Sequence, residues 1–190
     1  MSGSDRPQLR PEDVVDFWID AGPERWFKKD EAFDAEIGRR FGTAAEDAAR
    51  GALDDWTATP EGTLALVLVL DQFRRNIHRG TPDAFSADPK ALSIAQDALA
   101  RGDDRRLPTD QRVWLYLPFE HAEDLAAQQV CMERTAALCA ELGDNDLLKY
   151  AAEHRDIIAR FGRFPHRNAI LGRESTPEEQ RFLDDGGFAG

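Results

Sequence analysis

Proline and glycine punctuate this chain at helical intervals, and no alternating apolar–polar stretch bounded by hairpin turns lies between the marks. Pro11, Pro60, Pro89 and Pro177 each fit the first position of a helix, where a missing N–H costs nothing. Thr59 and Asp88 precede two of them as expected N-caps. Thr176-Pro177-Glu178-Glu179 has the form of a capping box, in which the hydroxyl serves the N3 amide and Glu179 reaches back. Gly42, Gly102, Gly143, Gly162, Gly172 and Gly186 stand where helices should stop. The spacing predicts helices near 11–20, 31–41, 44–50, 60–76, 88–101, 109–116, 119–142, 146–162, 166–171 and 177–185. Short connections favour antiparallel neighbours. The expected fold is all-α: a single domain of about 9–10 antiparallel helices over residues 9–186, with 1–8 and 187–190 as loose tails.

A chain of 190 residues can bury a core without disulfides or a structural metal. Its net charge of −12 argues against non-specific nucleic-acid binding and against attraction to anionic membranes, while leaving room for a local basic cleft. Cys131 and Cys139 fall on one predicted helix, about 12 Å apart along its axis, too far to bridge. Two reduced thiols suit a cytoplasmic protein. The N-terminal segment has no apolar core of a secretory signal, and the longest apolar run, Leu64 to Leu70, is too short to span a bilayer. Nothing in the sequence fixes an oligomeric state.

Three predicted helices carry polar groups where the pattern calls for core. On 119–142 the stripe reads His121, Leu125, Gln128, Met132, Thr135, Cys139, Leu142, with Asp124 one turn from His121 and Gln128. On 146–162 it reads Tyr150, His154, Ile157, Ile158, Phe161. On 60–76, Leu64, Val67 and Leu68 lead to Asp71, followed by Gln72, Arg74, Arg75 and Asn76. A buried charge must be paired and a buried amide must find partners. One reading makes these groups a structural ion-pair network. The other makes them converge on one polar pocket, since local rules tend to fail at functional sites.

Residues 154–173, HRDIIARFGRFPHRNAILGR, form a basic island of five arginines, one acid and two histidines in an acidic chain. Arg155, Arg160, Arg163, Arg167 and Arg173 present forks suited to carboxylate or phosphate. Gly162 and Pro165 break the helix, so the free N–H groups of the short helix that follows would also favour an anion. The competing reading pairs these arginines with the surplus acids or lays their stems on apolar surface.

Several chemistries lack their signatures. No phosphate-binding GxxxxGK[ST] or GxGxxG and no GxSxG elbow is present. The four histidines show no zinc-ligand spacing, and Glu120-His121 and Glu153-His154 are adjacent rather than three apart as in a di-iron bundle. No metal or cofactor is therefore expected. A His–Asp pair can still work as general acid and base.

Three segments carry a resemblance: LDQFRRNIHRGTPDAFSADPKAL (70–92), YLPFEHAEDLAAQQ (116–129) and HRDIIARFGRFPHRNAILGRESTPEEQRFL (154–183), with DFW at 16–18 and RWF at 25–27. The chain resembles, over about residues 12–184, the mainly bacterial domain-of-unknown-function family 924. The resemblance implies a tetratricopeptide-like helical superhelix and no established activity. Asp71, Gln72, Arg75, Asn76, His121, Glu123, Asp124, Gln128, His154, Arg160, Arg163, His166, Arg167, Asn168, Arg173 and Glu174 fit the family pattern. Arg74 stands where that pattern often has proline, and His78 where it often has phenylalanine, which removes His78 from the site. Ala122 stands where it often has serine, and an alanine beside His121 cannot act as a nucleophile.

The leading expectation is a site for an anionic small molecule. Asp71, Gln72, Arg75, Asn76, Gln128, Arg160, Arg163, His166, Arg167, Asn168 and Arg173 are the candidate binding residues. His121, Asp124 and His154 are the candidates for proton transfer. The alternatives are a helical adaptor that binds a partner peptide through the same arginines, RNA binding, and a purely structural island.

Overall fold

The run from Leu64 to Leu70 is the axis of the molecule: all seven residues are fully buried. A helix apolar on every side has no solvent face and must be surrounded. In the computed structural model, which describes residues 9–188, it is. The helices are α1 (Pro11–Ala21), α2 (Pro23–Trp26), α3 (Glu31–Ala49), α4 (Pro60–Leu68), α5 (Arg74–Ile77), α6 (Asp88–Arg101), α7 (Val113–Glu120), α8 (Leu125–Leu142), α9 (Asp146–Phe161) and α10 (Pro177–Asp184). Short 3-10 turns join several of them, and no strand occurs among the described residues. Nor is any described helix long and apolar enough to cross a membrane.

The helix α4 continues through a π turn, Val69–Phe73, into α5. Helices α1, α6 and α7 pack on α4, and α3 packs on the π turn and α5. Trp18, Phe33, Phe41, Phe73 and Trp114 fill the space around this axis, with Trp18 and Trp114 edge-on at 5.3 Å. Truncating one such buried leucine to alanine costs about 2–5 kcal/mol. Helices α8 and α9 form a hairpin that packs through α8 on α7.

Caps explain most of the boundaries. The Thr59 hydroxyl accepts from the Gly62 N–H, and Thr176 and Glu179 form the expected reciprocal capping box. Gly162 ends α9 at φ +70°, a conformation that a side chain would strain.

Four expectations need correction. Helix α3 runs through Gly42, because α-helix tolerates glycine when the flanking face, Ile37, Phe41, Ala45 and Ala48, is buried. The predicted helix 119–142 is two: α7 ends at Glu120, and α8 starts after the cap Asp124. Pro118 is accommodated inside α7, and the break comes from the start of α8, where the Asp124 carboxylate accepts from the Ala126 and Ala127 amides. The buried face of α8 is Ala127, Gln128, Cys131, Thr135, Leu138 and Cys139, so Leu125 and Leu142 of the predicted stripe are exposed. Residues 166–171 hold one 3-10 turn, Pro165–Arg167, rather than a helix. Phe188, placed in a loose tail by sequence, packs its ring on His154; residues 1–8 and 189–190 lie outside the described residues.

Candidate acid–base and anion site

The π turn positions the site. A turn with i→i+5 bonds holds one residue more than an α turn, so residues beyond it are rotated by about 100° from the α register. Asp71 and Gln72 lie within it, and both are buried among apolar neighbours.

The Asp71 carboxylate is the centre. The Nδ1 of His121 lies 2.8 Å from its Oδ1, and since a carboxylate only accepts, Nδ1 carries the proton. The Arg75 Nη1 lies 2.8 Å from the same oxygen, and the Gln72 Nε2 donates to Oδ2 at 2.5 Å. Burial opposes the charge on Asp71, but Arg75, His121 and Gln72 together outweigh it and hold the carboxyl ionised. His121 caps the C-terminus of α7, where its own N–H bonds the Leu117 carbonyl. Burial first and the Arg75 charge second depress its imidazole to about 4, against the opposing pull of Asp71. At neutral pH it is uncharged, with a lone pair on Nε2.

Arg75 also forms a two-pronged pair with Asp88, at 3.0 Å for each bond. Asp88 was expected to cap α6; the cap is Ala87, and the Asp88 carboxylate turns instead to two arginines. The second is Arg167, whose Nη1 lies 3.4 Å from Asp88 Oδ2. The Arg167 guanidinium lies between the rings of Phe85 and Phe164, 4.6 and 4.5 Å from their centroids. Burial, then the neighbouring Arg75 charge, lowers it to about 10. Its Nε is buried without a hydrogen-bond partner among the described residues.

A second layer adjoins the first. The His154 ring lies 6.3 Å from the His121 ring. Its Nδ1 donates to the Tyr150 carbonyl at 2.9 Å and is 3.5 Å from Glu120 Oε1. Burial lowers the His154 imidazole. Glu120 is buried too, and burial lifts its carboxyl to about 7 against a weak Cys131 thiol hydrogen bond at 3.8 Å. His166 lies beyond Phe164; burial, Arg167 and His154 depress it to about 3, and its Nδ1 is buried without a partner among the described residues. The side chains of Arg75, Asp88 and His121 keep 19, 15 and 14% of their surface exposed, so the inner layer is not sealed from solvent.

The structure thus brings together Asp71, Gln72, Arg75, His121, His154, His166 and Arg167. The other candidates go elsewhere. Asn76 turns to Asp34 on α3. Asp124 is an exposed helix cap, so it is no proton-transfer partner of His121. Gln128 clamps the α7–α8 turn by donating to the Glu120 and Ala122 carbonyls. Arg160 pairs with Glu178, Arg163 with Glu179, and Arg173 with Glu123 and Asn168. Asn168 bonds Ser175 and Glu179. Most of the island therefore ties α9, α10 and the α7–α8 turn together, and Arg167 alone of its arginines enters the cluster. Sequence reasoning missed Glu120 and Phe85, and gave Asp88 another role; no helical period marks any of them. Among the described residues no group of three metal-ligating side chains converges. Two open surface hollows, of about 380 Å³ between α1 and α3 and about 420 Å³ beside α10, are lined by none of Asp71, His121, His154 and Arg167.

Comparison with known proteins places this geometry in a family without assigning it a reaction. The family model described as "Bacterial protein of unknown function (DUF924)" matches residues 14–187. A solved structure of a protein of unknown function, ATU0120 from Agrobacterium tumefaciens, is similar at 51% identity and a TM-score of 0.85, over 93% of this chain and 97% of that one. No curated protein matches.

Proposed function

The chain belongs to DUF924, a family of bacterial proteins of unknown function, and for this member we propose a site that binds a small anionic molecule and moves a proton on it. The observation that carries the reading is the 2.8 Å bond between Asp71 and His121 beside the half-buried Arg75 and the buried Arg167. Asp71 fixes the imidazole with its proton on Nδ1, which leaves Nε2 as the base. Arg167 is the anion donor, its unpaired Nε the hydrogen bond still to be filled, while Arg75, held by Asp71 and Asp88, adds its charge. An anion beside Arg75 offsets the charge that depresses His121, so binding raises the basicity of Nε2 when it is needed. Asp71 then stabilises the imidazolium without taking its proton.

The other reading is a tetratricopeptide-like superhelix whose groove holds a partner's acidic peptide through the same arginines, Arg160, Arg163 and Arg167. All three have carboxylate partners, but Arg167 alone of them keeps a buried Nε without a partner among the described residues, and that donor beside the Asp71–Arg75–Asp88 cluster favours the small molecule. The buried free thiols of Cys131 and Cys139 are in keeping with a cytoplasmic site of action.

A thermal-shift screen with phosphate, sulfate, and small phosphorylated and carboxylate metabolites tests the proposal. Wild type should be stabilised by at least one at millimolar concentration, and Arg167→Ala should lose that response, since a ligand of the native state must raise Tm. Stabilisation by none, or equal stabilisation of both proteins, counts against it.

A further inference from the structure

The chain's own Phe188 sits in this cluster as a ligand would. Its ring meets His154 edge-on at 4.6 Å and His166 at 5.2 Å. Phe164 stands against both imidazoles, 5.6 Å from each, and forms the rear wall with Ile157 and Ile158. Two imidazoles set edge-on to one ring, with this apolar wall behind them, make a seat for a flat group. Phenylalanine fills it imperfectly, because the ring has no hydrogen-bonding edge and the buried Nδ1 of His166 stays unpartnered among the described residues. The strap that brings Phe188 there is short. It leaves α10 at Asp184 and turns at Gly187, whose N–H bonds the Phe182 carbonyl. A Cβ at Gly187 would lie 2.5 Å from that oxygen, so only glycine fits the turn.

We propose that the seat of Phe188, between His154, His166 and Phe164, is a binding subsite for a flat aromatic or heteroaromatic group with a hydrogen-bonding edge, and that the C-terminal strap occupies it when no ligand is bound. The seat and the anion donor share a wall, for Phe164 also carries the Arg167 guanidinium on its face, 4.5 Å from the ring centroid. The ligand class is therefore an aromatic anion, an aryl carboxylate or aryl phosphate, with its ring in the seat and its charge toward Arg167. This deepens the small-anion reading and rests on it for the anionic part, whereas the ring subsite stands on its own contacts.

The two parts separate by probe. Phenol has the ring and a polar edge but no charge, and inorganic phosphate has the charge but no ring. Each is titrated into wild type, Phe188→Ala and Phe188→Trp, with the imidazole carbon-bound proton resonances of His154 and His166 as readout. A strap that must leave the seat lowers apparent affinity by the fraction of molecules in which the seat is open, so Phe188→Ala should bind phenol about tenfold more tightly than wild type, the gain that an open fraction of about one tenth gives. Phe188→Trp, a larger plug with its own N–H, should bind phenol more weakly than wild type. Phosphate affinity should be the same in all three. Equal phenol affinity across the series, or phenol binding that leaves both histidines unmoved, overturns the subsite. Absence of phosphate binding with the phenol series as expected removes the anionic part and leaves the ring seat standing.

Discussion

His121 Nδ1 and Asp71 Oδ1 are 2.8 Å apart although fifty residues separate them in sequence, and Arg75 shares the same oxygen. Asp71 is thus a buried carboxylate that, with Asp88, neutralises the half-buried Arg75 and also orients the half-buried imidazole of His121. Asp71→Asn keeps the shape and removes the charge. It should cost roughly 3–5 kcal/mol of stability in urea denaturation at pH 7, the cost of breaking a buried pair. It should also drive the His121 pKa below its wild-type value of about 4, because Asp71 is the group that pulls it up.

Glu120 and the histidines oppose one another in pH dependence. The Glu120 carboxyl titrates near 7 in the folded protein, above the ordinary carboxyl value. Its stabilising contribution is fully present below the unfolded pKa of about 4.3 and is lost as pH rises through 7. His121 and His166, depressed to about 4 and 3, bind fewer protons folded than unfolded, so their contribution is lost as pH falls from about 6.5. Glu120→Gln should therefore be more stable than wild type at pH 8 by on the order of 2–3 kcal/mol, with the difference vanishing near pH 4. Denaturant midpoints across that range measure it; a difference constant with pH would mean that Glu120 does not titrate there.

Arg163 and Arg155 separate structural from surface arginines in the basic island. Arg163 holds both oxygens of Glu179, a buried acid that also closes the α10 capping box, and bonds the Glu174 carbonyl. Arg155 pairs only with its neighbour Asp156 on the surface. Arg163→Ala should lower Tm by several degrees and Arg155→Ala should leave it nearly unchanged. Equal effects would remove the structural assignment.

Gln128 is fully buried, and its Nε2 satisfies two carbonyls of the turn that presents His121. Gln128→Ala leaves those carbonyls unpaired and should cost about 1–3 kcal/mol. Chemical denaturation gives the loss. A His121 pKa that moves with it would show that the turn also holds the imidazole in place.

The helical punctuation was legible because caps are local: Thr59, Pro60 and the Thr176–Glu179 box act within four residues. The break at His121–Asp124 was equally local, written in the Asp124 cap, but the three–four stripe ran across it and hid it. The cluster was partly legible: Asp71, His121 and His154 stand out as polar groups on apolar stripes and Arg167 belongs to the basic island, and the fold brings these four together. Its completion was not. Asp88 looks like a helix cap, Glu120 follows no stripe, and Phe188 belongs to a stretch that reads as a tail; only tertiary contacts bring them in. Counting arginines overstated the anion site, because the acids that neutralise Arg160 and Arg163 lie just downstream in STPEE, and the partner of Arg173 lies on the α7–α8 turn.

The central claim is that His121 is a neutral base oriented by Asp71 and set beside an anion donor. Imidazole nitrogen NMR at pH 7 reads it directly. The account predicts a His121 with Nδ1 protonated and Nε2 bare, whose Nε2 resonance moves toward the protonated form when millimolar inorganic phosphate is added. A His121 protonated on Nε2, or one whose nitrogens ignore phosphate while the protein stays folded, would contradict it.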